Sequence, residues 1–139
     1  MDVWEYFQTR EREIKECSLH VTGSIPLFAA EEGSDDQRGM VYGPVLFNGY
    51  PSTVYLSMYE EVVVKGSGIT RPRYAYFLII DGREIGGYER HTSHDPPVHR
   101  HCSGRKHHER APSRAVSFKD AAKEAWRYVA QFATPIAEG

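Results

Sequence analysis

A chain of 139 residues that is 40% hydrophobic and 26% charged is long enough for one domain with its own core, and too apolar for a disordered segment. Two cysteines exclude a disulfide-stapled scaffold, and no apolar run nears the roughly 20 residues a membrane-spanning helix needs. The net charge of −2 hides an asymmetry: residues 1–64 carry four Lys/Arg against eleven Asp/Glu, and residues 65–139 carry thirteen against eight. A basic half suits a phosphate-bearing partner, although such patches also occur on ordinary surfaces.

Taken in chain order, residues 2–16 read as a helix, with Asp2 as N-cap and Val3, Trp4, Phe7 and Ile14 on one broad face. No basic segment followed by an apolar one opens the chain, so no signal peptide is expected and the cytoplasm is the expected location. Residues 18–29 look extended, with Pro26 favouring a sheet edge or strand end. Residues 30–38 read as an acidic exposed loop. Strands are expected at 40–47 and 53–64, where Val54, Leu56 and Met58 alternate with more polar neighbours. Tyr74 to Ile80, the Asp81-Gly82 pair and Glu84 to His91 give a hairpin signal.

Pro96-Pro97 takes residues 92–98 out of any ladder, and His99 to Cys102 reads as a short return strand. Residues 103–116 are polar and loop-like. The last element is a helix over 118–132, capped by Ser117 with Asp120 at N3, whose apolar stripe is Phe118, Ala122, Ala125, Val129 and Phe132. Trp4 and Trp126 are expected to pack helix against sheet. The expected fold over 1–139 is a single α+β domain: an antiparallel β-meander packed by an N-terminal and a C-terminal helix.

The densest chemistry lies between His91 and His108, which holds six of the seven histidines interleaved with Arg100, Arg105 and Lys106. Imidazole is the side chain whose ordinary pKa lies nearest neutrality, so it transfers protons, or binds metal when neutral. In a strand His99 and His101 share a face, whereas Arg100 faces the other way. His94 and one of His107 or His108 are close enough in sequence to fold back toward that pair.

Three chemistries suit the cluster. Metal-free cleavage of a ribose phosphodiester needs a base, an acid and cations for the phosphorane charge. A transition-metal site, zinc for example, would draw on His94, His99, His101 and Cys102. Cys102 serves equally well as a small half-buried filler. Binding without chemistry would use the histidines, arginines and nearby tyrosines to hold phosphate or stack on bases. No phosphate-cradling GxxxxGK[ST], GxGxxG or GxSxG motif occurs.

Residues 52–129 resemble the TumE family of bacterial toxin–antitoxin proteins. The likeness runs from Ser52-Thr53-Val54-Tyr55-Leu56-Ser57-Met58-Tyr59-Glu60-Glu61-Val62, through Tyr74-Ala75-Tyr76-Phe77, the Asp81-Gly82 turn and Tyr88-Glu89-Arg90. It continues in His94, Pro97 and His99-Arg100-His101, and closes with the C-terminal helix. The chain departs from the family in three places: Gly87 stands where the family has arginine, Glu89-Arg90 replaces an acidic-amide pair, and Ser93-His94 stands for a Pro-His-His element.

The resemblance implies a small cytoplasmic toxin neutralised by a helix-turn-helix antitoxin encoded beside it. RNA as the target extrapolates from the basic, histidine-rich segment and from how many such toxins act. On that reading the protein is a metal-independent endoribonuclease without a cofactor. His99 and His101 form the acid–base pair and His94 supports them. Tyr88, Arg90, Arg100 and Arg105 are the candidates for substrate contact, and no membrane is involved.

Overall fold

The computed structural model describes residues 2–17, 26–31, 37–66, 68–90, 98–102, 108–110 and 116–137. His94, Arg105, the Pro96-Pro97 segment, most of the acidic loop and residues 18–25 lie outside the described residues.

Period-two alternation sets the sheet. In β3 (Val54–Lys65), Val54, Leu56, Met58, Glu60, Val62 and Val64 are buried, and their neighbours are half-buried or exposed. The strand pairs antiparallel with β2 (Gln37–Leu46) on one side and β4 (Gly68–Ile80) on the other. β1 (Leu27–Glu31) joins the outer side of β2. Asp81 and Gly82 both take positive φ, 51° and 80°, which makes the tight turn of the hairpin to β5 (Arg83–Arg90). β6 (Val98–Cys102) and β7 (His108–Arg110) complete the sheet, and among the described residues the strands lie in chain order from β1 to β7.

α1 (Val3–Glu16) begins with a full capping box: the Asp2 side chain accepts from the Glu5 N–H, and the Glu5 side chain accepts from the Asp2 N–H. α2 (Phe118–Phe132) begins where Ser117 accepts from the Asp120 N–H. Both helices cover the same sheet face. Val3 and Phe7 of α1 press on Gly39, where a β-carbon would lie 2.6 Å and 2.5 Å from their side chains and would push them aside. Phe118, Ala121, Ala122, Ala125 and Val129 of α2 are buried over the β3–β5 side. The result is the expected α+β meander with its helices on one face.

Details differ from the sequence expectations. Trp4 is 60% exposed and meets Phe7 edge-on at 5.6 Å, so it lies at the margin of the core. Trp126 does pack inward, stacked on Phe47 at 6.2 Å. Phe132, expected on the apolar stripe, is 57% exposed because the stripe has rotated off the sheet by the last turn. Strand pairing reaches into the expected acidic loop at both ends, at Ala30–Glu31 and Gln37–Arg38. β7 lies in a stretch expected to be loop. Its three residues are too few to carry a periodic signal.

β4 starts six residues before Tyr74 and runs through Pro72. Gly68, Ile69, Thr70 and Arg73 pair with β3, but a register shift between Glu61 and Val63 leaves Arg71 and Pro72 between paired positions, and β5 pairs with β4 only from Tyr74 onward. Proline's missing N–H therefore breaks no ladder bond.

Candidate functional site

The sheet has one face under the helices and one that no described helix covers, and register assigns the candidate residues between them. Tyr76 pairs with Tyr88 and Tyr74 with Arg90. Tyr74 and Tyr76 are fully buried beneath the helices, so Tyr88 and Arg90 belong to the covered face. In β6, Arg100 registers with Tyr88, Val98 with Arg90 and Cys102 with Gly86. Positions 99 and 101 register instead with Glu89 and Gly87, on the open face. The β6–β7 pairing adds two more open-face positions, with His108 opposite His101 and Arg110 opposite His99.

Two cross-sheet rows of the open face result. One runs Tyr42, Tyr59, Ala75, Glu89, His99, Arg110, and the next runs Pro44, Ser57, Phe77, Gly87, His101, His108. Tyr42 is 39% exposed, and the Arg73 guanidinium lies over the Tyr59 ring at 5.4 Å. The face thus combines aromatic rings, a cation and histidine positions, as surfaces that stack on bases do. His-x-His spacing brings His99 and His101 to one face, as alternation requires, and β7 adds His108, one of the two histidines expected to fold back toward that pair. Tyr88, Arg90 and Arg100 are not brought to that face.

Gly87 lies between Phe77 and His101 in its row. A β-carbon there would come within 1.9 Å of the Tyr76 carbonyl oxygen and 2.8 Å of the Phe77 ring. No side chain fits, so packing alone accounts for glycine at this position.

Tyr88 and Arg90 instead flank two cavities on the covered side. The larger, about 660 Å³, lies between α2 and β4–β5, and there the Tyr88 hydroxyl donates to the Glu124 carboxylate. The smaller, about 410 Å³, is bounded by Arg10, Arg71, Arg90, Ser117 and Lys119.

Behind the smaller cavity is a buried polar network that sequence reasoning missed. Glu60 is fully buried. Its Oε1 accepts from Arg10 Nε at 2.9 Å. Its Oε2 accepts from the Tyr6 hydroxyl at 3.0 Å, Arg10 Nη2 at 3.1 Å, Arg71 Nη1 at 3.3 Å and the Tyr76 hydroxyl. Arg10 also donates to Glu13 and to the Tyr6 oxygen, and Arg71 donates to the Val116 carbonyl at 3.0 Å.

Burial, and then the Glu60 charge, push the Tyr6 phenol up to about 12 against the pull of Arg10 and Arg71. The same two causes raise Tyr76 well above the ordinary tyrosine value. Burial works against the Arg10 charge, but Glu60, Tyr6 and Tyr76 outweigh it and hold the guanidinium more firmly protonated than usual. A signal for this network stood in the sequence: Glu60 occupies a buried-parity position in an otherwise apolar alternation.

Among the described residues no group of three or more His, Cys, Asp or Glu is placed to hold a metal ion. No helix among them is long and apolar enough to cross a membrane. No protein-family model, curated protein or solved structure matches the chain.

Proposed function

We propose that the chain is a TumE-like toxin that binds single-stranded RNA on the open sheet face and cleaves it there without a metal. The observation that carries this reading is the register that pairs His101 with His108, and puts His99 in the adjacent row, on the face that also holds Tyr42, Tyr59 and Phe77. Bases stack on such aromatic rings, and stacking tolerates any sequence. A histidine pair supplies the base that takes the 2′-hydroxyl proton and the acid that protonates the leaving oxygen. Arg73, Arg38 and the Arg110 position, in register with His99, supply positive charge on this face for the phosphate. The protein acts in the cytoplasm and is held inactive by a helix-turn-helix antitoxin.

Untagged protein incubated with total RNA, with and without EDTA, tests the reading beside a His99→Ala/His101→Ala variant. The expected result is cleavage that survives EDTA and falls at least a hundredfold in the variant, the scale of lost acid–base catalysis. Cleavage abolished by EDTA would move the histidines from proton transfer to zinc or another transition metal, without Cys102, whose register with Gly86 puts that position on the other face. RNA left intact under both conditions, or cut equally by the variant, would overturn the nuclease assignment.

A further inference from the structure

The covered face carries a second cluster that the RNA reading does not use. The cavity of about 410 Å³ is lined by Arg10, Arg71, Arg90, Lys119, Glu13 and Ser117, with Tyr6, Ile69 and Thr70 completing the wall. Its charges are unevenly matched. Arg10 and Arg71 are committed to Glu60, and Arg10 also to Glu13. Those two cations and two carboxylates offset one another, which leaves Arg90 and Lys119 as excess positive charge. Among the described residues, neither forms an ion pair with a carboxylate.

Arg90 supplies the second observation. Its Nε is shut off from solvent and has no hydrogen-bond partner. A buried N–H of a charged guanidinium left unmade costs on the order of 1–3 kcal/mol, so such atoms in folded proteins point to a missing acceptor. The excess positive charge around it favours an anionic acceptor. The first turn of α2 lies beside it: Ser117 accepts from the Asp120 N–H, Asp120 puts a carboxylate on the same turn, and the N–H groups of Phe118 and Lys119 and the helix dipole remain to favour an anion. The volume is at the small end of ligand cavities, and Ile69 and the Tyr6 ring give it an apolar wall. A bare ion would leave that wall uncovered.

We infer that the cavity between α1, β4 and the N-terminus of α2 binds a small organic phosphate monoester, its phosphate held by Arg90, Lys119 and the first turn of α2. Arg10 and Arg71 contribute to the field but are fixed in place by Glu60. The site lies on the opposite side of the sheet from His99 and His101, so it stands or falls independently of RNA cleavage.

Titration of the full chain with ribose 5-phosphate and with AMP, at constant ionic strength, tests this by calorimetry and by following the Arg90 Nε–H resonance. Ribose and adenosine serve as the phosphate-free controls. Saturable binding of at least one phosphorylated probe is expected, with a shift of the Arg90 Nε–H signal and no binding of its phosphate-free counterpart. Arg90→Gln and Lys119→Gln are each expected to weaken binding at least tenfold. Lys119 is exposed, so its variant keeps the test valid if Arg90→Gln fails to fold. Absence of saturable binding by both phosphorylated probes, equal binding of the phosphate-free controls, or wild-type affinity in the folded variants would overturn the site.

Discussion

Glu60 shows how one residue organises its surroundings. A lone carboxylate in the core would cost several kcal/mol, and here two guanidinium groups and two phenols satisfy it. The network ties α1 to β3 and β4, so its strength depends on each partner keeping its proton. The folded state holds the Tyr6 proton more tightly than the unfolded chain does, with a pKa raised to about 12 from about 10. The resulting stability is whole below about pH 10 and is lost as pH rises toward 12. Tyr76 acts in the same direction. The urea midpoint is therefore expected to hold level from pH 8 to 10 and then to fall, and more gently in Tyr6→Phe. A variant whose decline matches the wild type would show that Tyr6 does not carry it.

At the scale of the element, β5 is shaped by what its neighbours leave no room for. The missing side chain at Gly87 lets the Phe77 ring and the Tyr76 carbonyl close over the strand. Gly87→Ala is expected to cost about 1–3 kcal/mol in urea unfolding, since the obstructing atom is backbone that cannot swing aside. An unchanged midpoint would mean that β4 and β5 part more easily than their packing implies. Legibility from sequence follows the same logic. β3, the Asp81-Gly82 turn and both helix caps could be read because each is a local signal: alternation, positive-φ residues, a side chain three positions from an N–H. The extension of β4 through Pro72 could not be read, because a bulge in β4 itself, at Arg71-Pro72, accommodates the proline. Nor could the allocation of candidate residues between faces be fully read. His99 and His101 share parity in any register, but a slip of one residue between β5 and β6 would put them with Tyr88 and Arg90. The buried role of Arg10 was hidden for another reason, since a guanidinium on an apolar helix face looks like an exposed side chain until its carboxylate is found 50 residues away.

Across the whole molecule, the sheet separates two chemistries. One side carries rings, histidine positions and Arg73; the other carries the helices, the buried network and the cation-lined cavity. If the open face binds RNA, rings far from the histidines should matter to affinity and not to cleavage. Tyr42→Ala, three strands from β5, is expected to weaken RNA binding by about 1–3 kcal/mol at fixed salt. Its unfolding is expected to stay within about 0.5 kcal/mol of the wild type, as for exposed positions generally. Unaltered RNA affinity would restrict the binding surface to β5–β7. The sequential strand order also bears on how the chain comes into being. Each strand lies beside its neighbour in sequence, so hairpins can be laid down in order as a ribosome delivers them. α2 is delivered after the entire sheet, so Leu56, Met58, Leu78 and Ile80 wait uncovered while the nascent chain grows. The hazard for this protein during synthesis is sticking to other chains in that interval, more than any slow search for its own topology.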